Sequence, residues 1–296
     1  MLYNQKGIYE MKKYLRIAAV VACLIPLQAL AALYGTILDA SNSAATSTLV
    51  ELDPATGAVL NTIGAVGYRI NGTTYDATTG TMYATTSSSD PSFPDGLITI
   101  NLTTGVATEI GTGAGQLVNV PAANSSGALY GWTEDGDDPV LWDKAAGTVT
   151  VLGDAGFSSS RQSLAFDDSD TLYYVDRGEI RIIDTTTGIS GAPLAPTGLT
   201  GADLHHGDFS SGTTLYAITE RGLTNPRQID ILDVTTGIVS STISAPDNLH
   251  TLAFTDGAGG GSSTPVPTMT IYGLVLTMLG LLLVASRRLR ASAKRT

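Results

Sequence analysis

The sequence predicts an all-β fold, a five-bladed β-propeller closed by a C-terminal strand, and three observations carry that prediction. A turn with Asp or Asn four residues before Gly recurs five times. A Leu-Tyr or Met-Tyr pair recurs upstream of each turn, and a strand-like segment late in the body supplies what the first unit lacks.

The N-terminus comes first. From Met11 the order is a basic patch (Lys12, Lys13, Arg16), an apolar stretch from Ile17 to Leu30, and small residues at Ala29, Ala31 and Ala32. That order reads as a secretory signal peptide over 1–31, with Met11 as the start and the cut after Ala31. It implies handling by the Sec translocon and signal peptidase. Val20-Val21-Ala22-Cys23 resembles the box before a lipidated cysteine, but the apolar run continues past Cys23, which fits an ordinary residue of the leader. Cys23 is the single cysteine, so the mature body has neither a disulfide nor a thiol nucleophile.

The body over 32–257 is built from repeats. The turns are Asp53 to Gly57, Asn101 to Gly105, Asp143 to Gly147, Asp184 to Gly188 and Asp233 to Gly237. Each sits between short apolar strands: the Asp or Asn side chain bonds amides just ahead of it, and Gly takes the left-handed conformation that closes the hairpin. The anchors are Leu33-Tyr34, Met82-Tyr83, Leu129-Tyr130, Leu172-Tyr173 and Leu215-Tyr216, most of them preceded by one more strand. Each unit therefore reads as four antiparallel strands over about 45 residues, the length of a propeller blade. The first unit lacks its leading strand, and the segment from His250 to Gly257 aligns with the leading strands of the others. Closing the ring in this way removes sheet edges. The rhythm resembles that of secreted repeat propellers, which implies a scaffold and no particular activity.

Aligned on the anchors, Asn71, Asn119, Gln162, His205 and His250 fall at equivalent positions of the inner strands, so a polar ring is expected along the channel. Asp203 shares a strand face with His205, and Asp203, His205 and His250 offer carboxylate and imidazole ligands for a transition metal. Ordinary polar residues facing water are the competing reading. Glu134, Asp135, Asp137 and Asp138, and then Asp167, Asp168 and Asp170, form acidic runs without EF-hand spacing; they are read as solvated turns, with calcium as the alternative. The loops over 39–47, 86–96 and 133–139 are long, and variable loops on a rigid scaffold are where binding usually sits. No G-x-S-x-G elbow occurs, and Trp132 and Trp142 are the only tryptophans, few for a glycan-cleaving cleft.

A Gly/Ser-rich linker over 258–265 leads to an apolar run from Met269 to Ala285, long enough to span a bilayer as a helix. Arg287, Arg288, Arg290, Lys294 and Arg295 follow, and such residues stay on the cytoplasmic side. The segment Val266-Pro267-Thr268-Met269, with Tyr272-Gly273, the span and the arginine-rich end, resembles the IPTL-CTERM sorting tail, a relative of PEP-CTERM tails. It departs from the usual motif at Val266, Met269, Ile271 and Tyr272. The resemblance implies recognition by an exosortase-type membrane protease in a Gram-negative envelope and transfer of the body to the cell surface or extracellular matrix. A permanent inner-membrane anchor with a periplasmic body is the alternative.

With the ends removed, the body holds seven basic and 26 acidic residues, which repels phosphate backbones and makes nucleic acid an unexpected partner. The sequence thus points to an exported, non-enzymatic propeller that binds an extracellular polysaccharide or envelope protein. Two alternatives stand beside it: a glycan-active hydrolase or lyase using Asp203 and Asp208 at the channel mouth, and a metal-binding propeller.

Overall fold

The computed structural model describes residues 31–38, 46–158, 163–176, 179–194, 199, 203–220 and 227–255; of Asp203 only the backbone is described. The chain separates into two compact units, Met1–Gly259 and Gly260–Thr296, and every described residue belongs to the first. The predicted leader up to residue 30, the linker, the sorting motif Val266–Gly273, the apolar run and the basic tail lie outside the described residues. Among the described residues no helix is long and apolar enough to cross a membrane.

The described part is all β, in five antiparallel sheets. Blade 1 contains β1 (Leu33–Leu38), β2 (Ser47–Leu52) and β3 (Val59–Ala65). Blade 2 contains β4 (Ile70–Asp76), β5 (Thr81–Thr86), β6 (Leu97–Ile100) and β7 (Ala107–Ile110). Blade 3 contains β8 (Val118–Ala123), β9 (Leu129–Thr133), β10 (Pro139–Asp143) and β11 (Thr148–Val151). Blade 4 contains β12 (Ser163–Phe166), β13 (Leu172–Val175) and β14 (Ile180–Ile183), and blade 5 contains β15 (Asp203–Ser211), β16 (Thr214–Glu220), β17 (Gln228–Asp233) and β18 (Ile238–Ser244). The last strand, β19 (Leu249–Phe254), pairs with β1 and becomes the innermost strand of blade 1, the closure expected from the sequence.

Five apolar cores hold the ring together, and each is shared by two neighbouring blades. The core between blades 5 and 1 joins Leu33, Val50 and Leu252 to Ile218 and Ile229, so the seam is packed like the other four interfaces. Leu33, Met82, Leu129, Leu172 and Leu215, the first residue of each anchor pair, are all buried. Each such leucine contributes on the order of 1.5–3 kcal/mol through burial.

The recurring turns form as their chemistry dictates. Asp143 Oδ1 accepts the amides of Ala145 and Ala146 at 2.8 and 3.1 Å, and the Gly147 amide donates back to the Asp143 carbonyl at 2.8 Å. The turn glycine has a second task at blade 1: Gly57 has φ +73°, and a Cβ there would lie 1.8 Å from the Ser244 carbonyl oxygen of blade 5.

Blade 4 departs from the four-strand expectation. Among the described residues its sheet has three strands, and beyond the turn Ser190 is the described residue that bridges back to Ile183. The segment after Gly188 is rich in Gly and Pro, which do not sustain a ladder. Instead, Gly191 and Leu194 donate amides to the carbonyls of Ile182 and Ile180.

Candidate functional site

Four blades send a polar side chain to the same end of the channel. Asn71, Asn119, His205 and His250 line one funnel of about 300 Å³, joined by Ser87, Ser88 and Glu134. Gln162, the predicted contribution of blade 4, lies outside the described residues.

A fault in strand pairing turns these side chains inward. On β4, Ile70 pairs with Thr86 and Gly72 with Thr85, leaving Asn71 as the extra residue. On β15, Leu204 pairs with Thr219 and His206 with Ile218, leaving His205 extra. On β19, Thr251 pairs with Thr36 and Leu249 with Ile37, leaving His250 extra. On β8 the irregularity follows Asn119 and holds Val120 at φ +40°. A β-branched residue with positive φ is strained by roughly 1–3 kcal/mol, and such strain and such bulges gather where a fold must re-aim a side chain.

The funnel is wired by hydrogen bonds. Asn71 Nδ2 donates to Asn119 Oδ1 at 2.7 Å, and Asn119 Nδ2 donates in turn to Glu134. His205 Nε2 stands 3.1 Å from Glu220 Oε2, which also accepts from Arg227 Nε at 3.4 Å. A second Arg227 nitrogen donates to the Leu249 carbonyl at the start of β19. The rings of His205 and His250 are 6.0 Å apart. Burial, together with the charges of Arg227 and Arg69 and with His205, pulls the His250 imidazole down to about 4, so it is neutral near pH 7.

Of the predicted metal triad, His205 and His250 come together. Asp203 faces Glu220 in the β15–β16 ladder, with its side chain outside the description. Among the described residues no group of three His, Cys, Asp or Glu side chains is placed to hold a metal ion.

Asp208 is not at the channel mouth, where the sequence reading placed it. It is buried in the seam, where Oδ2 accepts the Phe254 amide at 2.8 Å and Oδ1 the Phe209 amide at 2.9 Å. Burial pushes its carboxyl up to about 7 against the pull of the two amides. His206, two residues earlier, reaches both β19 of the seam and β4 of blade 2: Leu252 N lies 3.3 Å from Nδ1 and Thr73 N lies 3.4 Å from Nε2. A neutral imidazole has one acceptor nitrogen, so it serves one amide at a time. Burial, and then His250, hold His206 down at about 3. These side chains satisfy the channel-facing edge of β19, a task that alignment on the anchors did not reveal.

The acidic runs are more than solvated turns. Glu134 lines the funnel, and Asp138 Oδ1 accepts the Ala155 amide at 3.2 Å. Asp170 accepts the Ser125 amide of blade 3 at 2.7 Å, and Asp168 accepts the Gly212 amide of blade 5 at 2.7 Å, so this run clasps adjacent blades. The long loop of blade 2 is internally braced: Asp90 accepts the amides of Arg69, Ser92 and Phe93, and Phe93 is buried. Residues 39–45 of the first long loop lie outside the described residues. Trp132 and Trp142 are both buried, so neither offers a stacking platform.

No family model matches the sequence, and no curated protein matches it. Among solved structures the chain is similar to one in a nidogen/laminin complex, with TM-score 0.50 and 13% identity, covering 76% of this chain and 98% of that one. Hydrazine synthase of Kuenenia stuttgartiensis gives TM-score 0.41 at 18% identity, covering 59% of this chain and 49% of that one. TolB from Acinetobacter baumannii gives 0.47 at 14%, covering 72% and 53% respectively. The first likeness supports the propeller fold and nothing finer.

Proposed function

We propose that this chain is an exported surface or extracellular-matrix protein whose propeller binds a partner at its channel mouth and catalyses no reaction. The observation that carries the binding reading is the set of bulges that turns Asn71, His205 and His250 into one funnel, a costly local arrangement repeated on separate blades. The Asp208 carboxylate, turned to backbone amides in the seam, favours this reading over a two-carboxylate enzyme.

Export rests on the sequence: a leader at one end, and at the other an apolar run closed by Arg287, Arg288 and Arg290. The tail motif from Val266 to Gly273 supports processing by an exosortase-type protease, with release into the envelope matrix.

Two measurements test the reading. The mass of the chain recovered from the cell surface should place its C-terminus at or near 265–273; a surface protein that still ends at Thr296 contradicts processing. Fractionation of cells carrying the double substitution Asn71→Leu, Asn119→Leu should move the protein from the matrix fraction to the medium; unchanged retention contradicts the funnel as the binding site.

A further inference from the structure

The channel is blind beneath the funnel. Further along the inner strands, neighbouring blades are laced together: Thr73 Oγ1 of blade 2 donates to the Leu252 carbonyl of blade 1 at 3.2 Å, and the Ala123 amide of blade 3 donates to Thr74 Oγ1 at 3.1 Å. His206 of blade 5 stands 3.4 Å from the Thr73 amide of blade 2, on the far side of blade 1, so its ring lies across the axis; it is 1% exposed. A ligand must enter and leave by the mouth. A funnel of about 300 Å³ closed at its base, at the small end for ligand sites, suits one six-membered ring.

The lining decides what that ring must carry. One Asn71 N–H goes to Asn119 and one Asn119 N–H to Glu134, which leaves the Asn71 carbonyl oxygen and a Glu134 carboxylate oxygen as acceptors without a partner among the described residues. The second N–H of each amide is left as a donor. His250 Nδ1 is buried without a partner among the described residues. A buried N–H with no acceptor costs more than a bare lone pair, so the ring proton sits on Nε2 and His250 gives the funnel a further donor. Leu204 and Val120 add an apolar patch to the same space. Donors and acceptors are thus interleaved. An ammonium only donates and would leave Asn119 and His250 unanswered. A carboxylate only accepts, and would leave Asn71 unanswered and repel Glu134. Hydroxyls on adjacent carbons do both, and the C–H face of their ring suits the apolar patch.

Resting on the binding reading above, we infer that the channel mouth is a blind socket for one neutral sugar ring, whose adjacent hydroxyls donate to Glu134 and Asn71 and accept from Asn119 and His250. A hydroxyl that donates to an ionised carboxylate makes the strongest single contact of the set, so Glu134 should carry the largest share of affinity.

The test uses the full chain in detergent, with D-glucose, D-galactose and D-mannose as probes beside the uronate and the 2-amino sugar of each, and binding read by ligand-observed NMR titration. A neutral hexose should bind more tightly than its own uronate and its own amino sugar. Glu134→Gln should weaken that hexose by about tenfold. Glu134 is exposed, so the variant keeps the fold. His250→Phe, which keeps a ring and removes the donor, should weaken it as well. Tighter binding of a charged sugar, unchanged affinity in both variants, or no binding of any hexose overturns the inference. If sugars fail to bind while Asn71→Leu, Asn119→Leu still releases the protein from the matrix, only the ligand class falls. If retention is also unchanged, the binding reading falls with it.

Discussion

Asp208 of β15 accepts the Phe254 amide of β19 at 2.8 Å, so a carboxylate of blade 5 closes the hydrogen-bond register of blade 1. The seam of the ring therefore has a titratable fastener. Burial raises the Asp208 carboxyl to about 7. A raised acid favours the folded state while protonated. As pH rises from about 4 to 7 the unfolded chain ionises first, so this contribution to stability is lost. Asp208→Asn does not titrate. Denaturant melts across that range should show the variant gaining on the wild type by up to ~1.4 kcal/mol per pH unit. A constant difference would mean that Asp208 is not so perturbed.

The two buried histidines act in the other direction. His206 and His250 are held down at about 3 and 4, while the unfolded chain takes up its protons near 6.5. Below pH 6.5 the unfolded state binds protons that the folded state refuses, so stability falls on acidification until the folded values are passed. His250→Asn should flatten the acid limb relative to the wild type, and an unchanged limb would contradict burial of the neutral ring.

Lys144 joins blade 3 to blade 2, donating to Asp76 at 2.8 Å and to the Gly127 carbonyl at 2.6 Å. Burial pushes the Asp76 carboxyl up, yet Lys144, Thr78 and Thr79 together hold it at about 2. The stability it supplies is present above pH 3.8 and lost as pH falls through about 2. Lys144→Met should cost about 1–3 kcal/mol, less than for a fully buried pair because the lysine is partly exposed. The acid loss should also move to higher pH.

Gly57 and Gly67 separate two causes of strain. Both have positive φ, +73° and +88°, but a Cβ on Gly67 meets nothing within 4 Å, whereas one on Gly57 meets the Ser244 carbonyl oxygen at 1.8 Å. Gly67→Ala should cost about 1 kcal/mol from conformation alone. Gly57→Ala should cost at least about 2 kcal/mol more, because the clash lies on the ring-closing contact. Equal melting temperatures would contradict the turn-to-blade packing.

Much of the ring was legible because its cause is local. A turn such as Asp143 to Gly147 is decided within five residues, and the burial of Leu33 and its counterparts follows from strand alternation. The equivalence of Asn71, Asn119, His205 and His250 was legible for the same reason. Why they turn inward was not, since a bulge is defined by the partner strand. Glu134 looked like one member of an acidic turn, and only its bond from Asn119 of the same blade's inner strand shows its role. Asp208 was misplaced because position along a strand tells depth in the channel poorly once β15 carries a bulge. That the described residues of blade 4 form three strands had a visible warning in Gly191 and Pro193.

Hydrogen-deuterium exchange of the full chain, with and without the polysaccharide fraction of the host envelope, tests the central claim most directly. The bulged mouth should gain protection at residues 70–72, 118–121, 204–206 and 249–251, with the Asp-to-Gly turns at the other end of the blades unchanged. Protection confined to those turns, or none at any of the four segments, would contradict a propeller that works through its channel mouth.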